Sequence, residues 1–114
     1  YAPGVTYRAI LEAVAGAELR LVNRARGLGA QPTRFLATGG GAANRTLLQI
    51  LAAVLDAPVE MGQPEGGILG AGMAAAVGAG WYGTLEEAVN EMGTPGPIVQ
   101  PDPDAVAYYA QVEL

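Results

Sequence analysis

The run Thr33-Arg34-Phe35-Leu36-Ala37-Thr38-Gly39-Gly40-Gly41-Ala42-Ala43-Asn44 decides how this chain folds. Residues 33–38 lie between Pro32 and three glycines, a space too short for a helix, so they are expected to form a buried strand. Beyond the glycines, Leu47, Leu48, Ile50, Leu51, Val54 and Leu55 recur at helical spacing until Asp56 and Pro58 close the pattern. Val59-Glu60-Met61 then supplies a second strand. Strand, glycine turn, helix and strand make a βαβ unit with parallel strands, and the fold class is α/β.

Upstream of this unit, Ile10, Ala13, Val14, Ala17, Leu21 and Val22 recur every three or four residues, with Glu12, Glu18, Arg20 and Asn23 mostly off that stripe. The spacing predicts an amphipathic helix capped by Thr6 and ending near Arg26, before the stop signals Gly27 and Gly29. Downstream, residues 67–80 are nearly all Ala, Gly and small apolar side chains, which predicts a helix that packs closely through Gly70, Ala74 and Gly78. Thr84-Leu85-Glu86-Glu87 fits a capping box, with Glu87 returning to the Thr84 amide and a short helix running to Met92. Residues 94–104 carry Pro95, Pro97, Pro101 and Pro103 and read as an extended connection, and residues 105–112 as a last helix capped by Asp104.

What is absent bounds the chemistry. The 114 residues contain no His and no Cys, and their six basic residues are all arginines. Thiolate and imidazole catalysis, disulfides and ordinary zinc sites are excluded within this chain, as are a Walker lysine and a Schiff base. A net charge of −5 argues against nucleic acid and against an acidic membrane surface as partners. Hydrophobic residues at 51% suffice for a core, but no run is long enough to span a bilayer and no leader pattern is visible at Tyr1. The length suits one domain or part of a larger one, and a start at Tyr1 suggests a processed or truncated chain.

The candidate site is the strand-to-helix turn itself, where open α/β sheets bind ligands. Glycines let a ligand approach the backbone, and the following helix offers free N–H groups and its positive end. The alternative is a tight turn that binds nothing. Two dinucleotide patterns are incomplete: Gly39-x-Gly41-x-x-Asn44 lacks its third glycine, and Gly70-Ala71-Gly72-Met73-Ala74-Ala75 does not directly follow a strand. Arg8 and Glu12 lie one turn apart and read as a surface pair without a catalytic role. Glu86, Glu87 and Glu91 suit the start of their helix better than an acid–base pair.

Taken in order, Tyr7-Arg8-Ala9-Ile10-Leu11-Glu12, Thr38-Gly39-Gly40-Gly41-Ala42-Ala43-Asn44, Leu48-Gln49-Ile50-Leu51-Ala52, Pro58-Val59, Leu69-Gly70-Ala71 and Ala79-Gly80 resemble the C-terminal part of FGGY carbohydrate kinases. The likeness covers nearly the whole chain, residues 1–114, and within the family it is most similar to xylulose kinases. It implies two ribonuclease H-like, actin-like domains around a cleft, with ATP and Mg2+ on the second and the sugar held mainly by the first. This chain would be the end of that second domain.

By this resemblance the backbone at Gly39 and Gly40 lies against the nucleotide, Gly41 adjoins it, and Asn44 contacts adenine or ribose. No catalytic residue and no metal ligand fall in this segment; the phosphate-binding turns and the catalytic Asp would lie upstream, and the isolated piece is expected to be inactive. A cytoplasmic parent with ATP, ADP and a ketopentose as small-molecule partners follows, and the resemblance allows a homo-oligomer. Two departures stand out: Leu51-Ala52-Ala53-Val54 where the family usually has Asp after the Ala, and Gly70-Ala71-Gly72 where Gly-Ala-Ala is usual. Two other classes compete, an α/β interaction module that packs on a partner through its Ala/Gly-rich helix, and a nicotinamide enzyme.

Overall fold

The computed structural model describes residues 2–63 and 65–114. Helix α1 (Pro3–Gly27) leads to strand β1 (Phe35–Ala37), a 3-10 turn (Gly40–Ala43), α2 (Arg45–Leu55) and strand β2 (Val59–Met61). Helices α3 (Gly66–Gly78) and α4 (Leu85–Met92), strand β3 (Ile98–Val99) and helix α5 (Pro103–Ala110) complete the chain. The sheet order is β1-β2-β3. Strands β1 and β2 pair in parallel, with Phe35 opposite Val59 and Ala37 opposite Met61, as the βαβ reading requires.

Helix α2 is the centre of the molecule because it is apolar on two sides. Leu48 and Ala52 pack on the sheet with Val59 and Val99, helped by Phe35, Ala37 and Met61. Strand alternation places those residues on one face and Leu36, Glu60 and Ile98, which are in register across the three strands, on the other. On its far side α2 offers Ile50 and Ala53 to Leu11 and Ala15 of α1 and Tyr109 of α5. The order is therefore sheet, α2, then α1 with α5. Asp56, in left-handed backbone at φ 48°, closes α2 where the sequence places its end.

Several sequence expectations change in detail. The strand expected over 33–38 narrows to three residues. Helix α1 begins at Pro3, so Thr6 lies inside its first turns and is not the cap; proline pre-sets helical φ and loses no useful donor at a first position. Its buried face is Leu11, Ala15 and Gly16, whereas Ile10, Val14 and Leu21 of the expected stripe are exposed. The proline-rich connection contains β3, which pairs antiparallel with β2 and makes the sheet mixed. Pro103 starts α5 and Asp102, not Asp104, caps it, its Oδ1 accepting from the Asp104 N–H at 3.2 Å; the helix ends at Ala110.

The capping box at Thr84 forms with one change. Thr84 Oγ1 accepts from the Glu87 N–H at 3.1 Å, while the Glu87 carboxylate accepts from the Gly83 N–H at 2.8 Å and not from Thr84. Helix α3 buries Met73 and Ala76, and Gly70, Ala74 and Gly78, expected to form a tight seam, are exposed. A Cβ at Gly70 or Gly78 would meet nothing within 4 Å, so their smallness is not used for packing inside this chain. Among the described residues no helix is long and apolar enough to cross a membrane.

Candidate functional site

The three glycines of the βα turn differ in what the fold asks of them. Gly39 has φ 84° and ψ −169°, a conformation almost confined to glycine, and it redirects the chain from β1 into the 3-10 turn. The Ala42 N–H then donates to Gly39 O at 3.1 Å and the Asn44 N–H to Gly41 O at 3.0 Å. Gly40 and Gly41 do not have positive φ. A Cβ at Gly40 would point into open space, and one at Gly41 would make ordinary contact with Leu47 at 3.6 Å. Neither backbone strain nor internal crowding demands glycine at Gly40.

The same turn leaves polar backbone accessible. Gly40 and Gly41 are exposed and head the 3-10 turn, whose first N–H groups have no partner within it. A methyl group at Gly40 would stand between that backbone and any flat or anionic group laid on it. The geometry of the turn thus fits a ligand that approaches main chain directly.

Asn44 ends the turn and starts α2. Its Oδ1 accepts from the Leu47 N–H at 3.1 Å, capping the helix, and its Nδ2 donates to the Tyr7 hydroxyl at 2.8 Å. The cap places the start of α2 at Arg45, two residues before the first leucine of the expected pattern. Tyr7 was not apparent from sequence, because a bond across 37 positions has no local signature. Gly39, Gly40, Gly41 and Asn44 are thus brought together at one end of β1, on the turn where sequence places them.

Nearby charges have structural work. Arg8 Nε lies 3.2 Å from Glu12 Oε1, the expected pair, but Tyr109 joins it by donating to Glu12 Oε1 at 2.7 Å and accepting from Arg8 Nη2 at 2.9 Å. Burial, then donation to Glu12, pushes the Tyr109 phenol above its usual pKa, with Arg8 opposing. The bond to Tyr109 is the main influence holding Arg8 more firmly charged. Arg34 donates twice to Glu60 Oε2, at 2.7 and 2.9 Å, bracing the outer face of the sheet. Glu86 and Glu91 are exposed and Glu87 is engaged in its cap. Among the described residues no three carboxylates gather where they could hold a metal ion.

The competing glycine pattern fails on position. Gly70 and Gly72 lie inside α3, with no strand-to-helix turn between them, so this match to a dinucleotide fingerprint is overturned. A cleft of about 420 Å³ opens between α1 and β1, with Thr38 and Gly41 on its rim; its wall is mostly apolar, from Val14, Phe35, Leu47 and Leu51, with Glu18 beside them. Of the two departures, Ala53 lies in the core shared with Leu11 and Tyr109, whereas Gly72 is exposed and a Cβ there would only touch Met92 at 3.9 Å.

Comparison with known proteins agrees with this arrangement. The C-terminal domain profile of the FGGY family of carbohydrate kinases matches residues 2–79, which run from α1 past the end of α3. The chain is 33% identical over 85 residues to a xylulose kinase of Bacillus subtilis (strain 168), covering 74% of this chain and 17% of that protein. It is also 33% identical over 88 residues to an erythritol kinase of Brucella abortus (strain 2308), covering 76% of this chain and 17% of the relative. The chain therefore spans about a sixth of the length of either relative. Because the family match runs over residues 2–79, from α1 through the βα glycine turn and α2 to the end of α3, this chain belongs to the FGGY family of carbohydrate kinases.

Proposed function

We propose that this chain is the nucleotide-side segment of an ATP-dependent sugar kinase, the C-terminal portion of a second, ribonuclease H-like and actin-like domain. Gly39, Gly40 and Gly41 present backbone to the nucleotide, and Asn44 contacts the adenine or ribose. The observation that carries this reading is Gly40, an exposed glycine with ordinary φ and open space where a Cβ would be, beside free turn amides. A kinase needs such clearance where the nucleotide lies on the chain. The fold alone does not need it there.

The reaction is in-line transfer: a bond forms between the γ-phosphorus and a sugar hydroxyl oxygen, the bond to the β-phosphate oxygen breaks, and ADP leaves. The hydroxyl proton passes to a carboxylate outside this chain. Residues of this segment bind and orient, and do not take that proton; holding the nucleotide fixed is where they lower the barrier. Mg2+ bound with the nucleotide would offset phosphate charge, and no residue of this segment is proposed to hold it. A ketopentose such as xylulose is the proposed acceptor, the xylulose kinase relative being the support. The parent is proposed to work in the cytoplasm, where ATP is plentiful.

The test is ATP-dependent phosphorylation by the full-length parent with Mg2+ and a panel of ketopentoses and polyols. Turnover of a ketopentose is expected. Turnover of erythritol alone would move the substrate class to polyols, and turnover of nothing in the panel would overturn the kinase reading. A second reading is favoured by one observation, the uncovered small-residue face of α3: this chain would be an interaction module packing on a partner there. Under that reading Asn44→Ala leaves ADP affinity of the parent unaffected, whereas the kinase reading requires it to fall.

A further inference from the structure

The Asn44 amide is held at both ends before any ligand arrives. The helix cap decides which end is oxygen, because the Leu47 N–H can only face an acceptor; the NH2 end then faces Tyr7, and the two bonds together hold the plane of the amide. Tyr7 then accepts, and its own O–H proton remains available to donate. The Tyr7 ring sits on α1, 54% exposed, so packing does not account for where its hydroxyl ends. One lone pair on Oδ1 and one hydrogen on Nδ2 stay unused by these two bonds.

We propose that Tyr7 is a positioning residue for the nucleotide: its hydroxyl anchors the Asn44 amide so that the unused lone pair and hydrogen point outward from the glycine turn. This rests on the reading of Asn44 as an adenosine-side contact. An unanchored amide would lose rotamer freedom on binding, whereas an amide fixed by Tyr7 and Leu47 has lost it already, and affinity gains by the difference. The device couples α1 to the start of α2, so the nucleotide contact depends on an element 37 residues away in sequence.

The experiment uses the full-length parent, with ADP titrated calorimetrically into wild type, Tyr7→Phe, Asn44→Ser and the double variant. Tyr7→Phe keeps the ring, and Asn44→Ser keeps a capping oxygen but cannot reach Tyr7. Tyr7→Phe is expected to weaken ADP about three- to tenfold, the scale of immobilising one side chain on binding, beyond the small fall in nucleotide-free Tm that loss of one exposed hydrogen bond brings. The double variant should bind ADP no more weakly than Asn44→Ser. With a sugar that the parent turns over, KM for ATP should rise in Tyr7→Phe while kcat and the sugar KM hold.

Unchanged ADP affinity in Tyr7→Phe, with or without a fall in Tm, beside a loss in Asn44→Ser would mark Tyr7 as a structural staple. That result overturns the positioning role and leaves the nucleotide reading standing. Losses that multiply in the double variant also overturn it, since Tyr7 would then act apart from Asn44. If both single variants bind ADP like wild type, or the wild-type parent binds none, the nucleotide reading falls and takes this inference with it.

Discussion

Tyr109 of α5 donates its hydroxyl proton to Glu12 of α1 at 2.7 Å, tying together residues 97 positions apart. Arg8 completes the contact by donating to the Tyr109 oxygen at 2.9 Å, and the Tyr109 ring lies in the core with Leu11, Ala15, Ile50 and Ala53. Tyr109→Phe keeps that packing and removes the hydroxyl, so it should cost about 1–2 kcal/mol by urea denaturation. The pH dependence has a definite sign. The folded-state pKa lies above the ordinary value of 10.0, so the unfolded chain loses this proton first and binds fewer protons in that window. Stability from Tyr109 is full below about pH 10 and is lost as pH rises through the folded pKa. Midpoints measured from about pH 8 to about pH 11 should fall more steeply in wild type than in Tyr109→Phe. Parallel curves would refute the linkage.

The βα turn separates conformational need from clearance for a ligand. Gly39→Ala forces a side chain into φ 84° and ψ −169° and should destabilise the chain by about 1–3 kcal/mol. Gly40→Ala, with open space and ordinary φ, should stay within about 0.5 kcal/mol of wild type. In the full-length parent the order reverses in meaning, because a methyl at Gly40 intrudes where the nucleotide is proposed to lie. ADP affinity should drop in a protein of unchanged stability. Wild-type ADP affinity in Gly40→Ala would remove the observation on which the nucleotide reading rests.

The strand, glycine turn and second helix were legible because each boundary is marked locally, by Pro32, Gly39, Asp56 and Pro58. Strand β3 was not, since Ile98-Val99 is two residues between prolines and exists by pairing with β2, where Pro97 O also accepts from the Met61 N–H at 2.8 Å. The covered face of α1 was misread because apolar residues ring the helix, and only the positions of α2 and α5 select Leu11 and Ala15. The cap of α5 was placed two residues late, at Asp104, because Pro103 takes the first helical position and leaves the capping role to Asp102. At the site, glycines and Asn44 announce themselves by composition and position. Tyr7 and Tyr109 act through contacts between distant helices, which no pattern along the chain encodes.

The two apolar faces of α1 should respond oppositely to substitution. Leu11 is 6% exposed and packs with Ile50 and Tyr109, so Leu11→Ala should cost about 2–5 kcal/mol through lost burial and the cavity left behind. Leu21, on the expected stripe, is 60% exposed, and Leu21→Gln should shift stability by no more than about 0.5 kcal/mol. Denaturation midpoints of the two variants decide which face is packed. A large loss at Leu21 would show that the chain covers that stripe in solution, by self-association or otherwise, and the midpoint would then depend on protein concentration.

Gly62 marks a close backbone approach at the end of β2, and its replacement tests that geometry directly. Its N–H donates to Ala37 O at 2.7 Å, continuing the pairing of β1 with β2 beyond the last strand residue. A Cβ at this position would stand 2.6 Å from Ala37 O and 2.8 Å from Thr38 Cγ2. The side chain of Thr38 can rotate away, but the carbonyl is fixed by the same hydrogen bond, so relief must come from separating the strand ends. Gly62→Ala should therefore destabilise by about 1–3 kcal/mol, the usual cost of overpacking, although φ at this residue poses no difficulty. Because Thr38 leads into the glycine turn, the full-length parent should also lose ADP affinity in Gly62→Ala, and Thr38→Ala should change neither property much. Equal midpoints for Gly62→Ala and wild type would mean that β1 and β2 are further apart at this end than 2.6 Å of clearance implies.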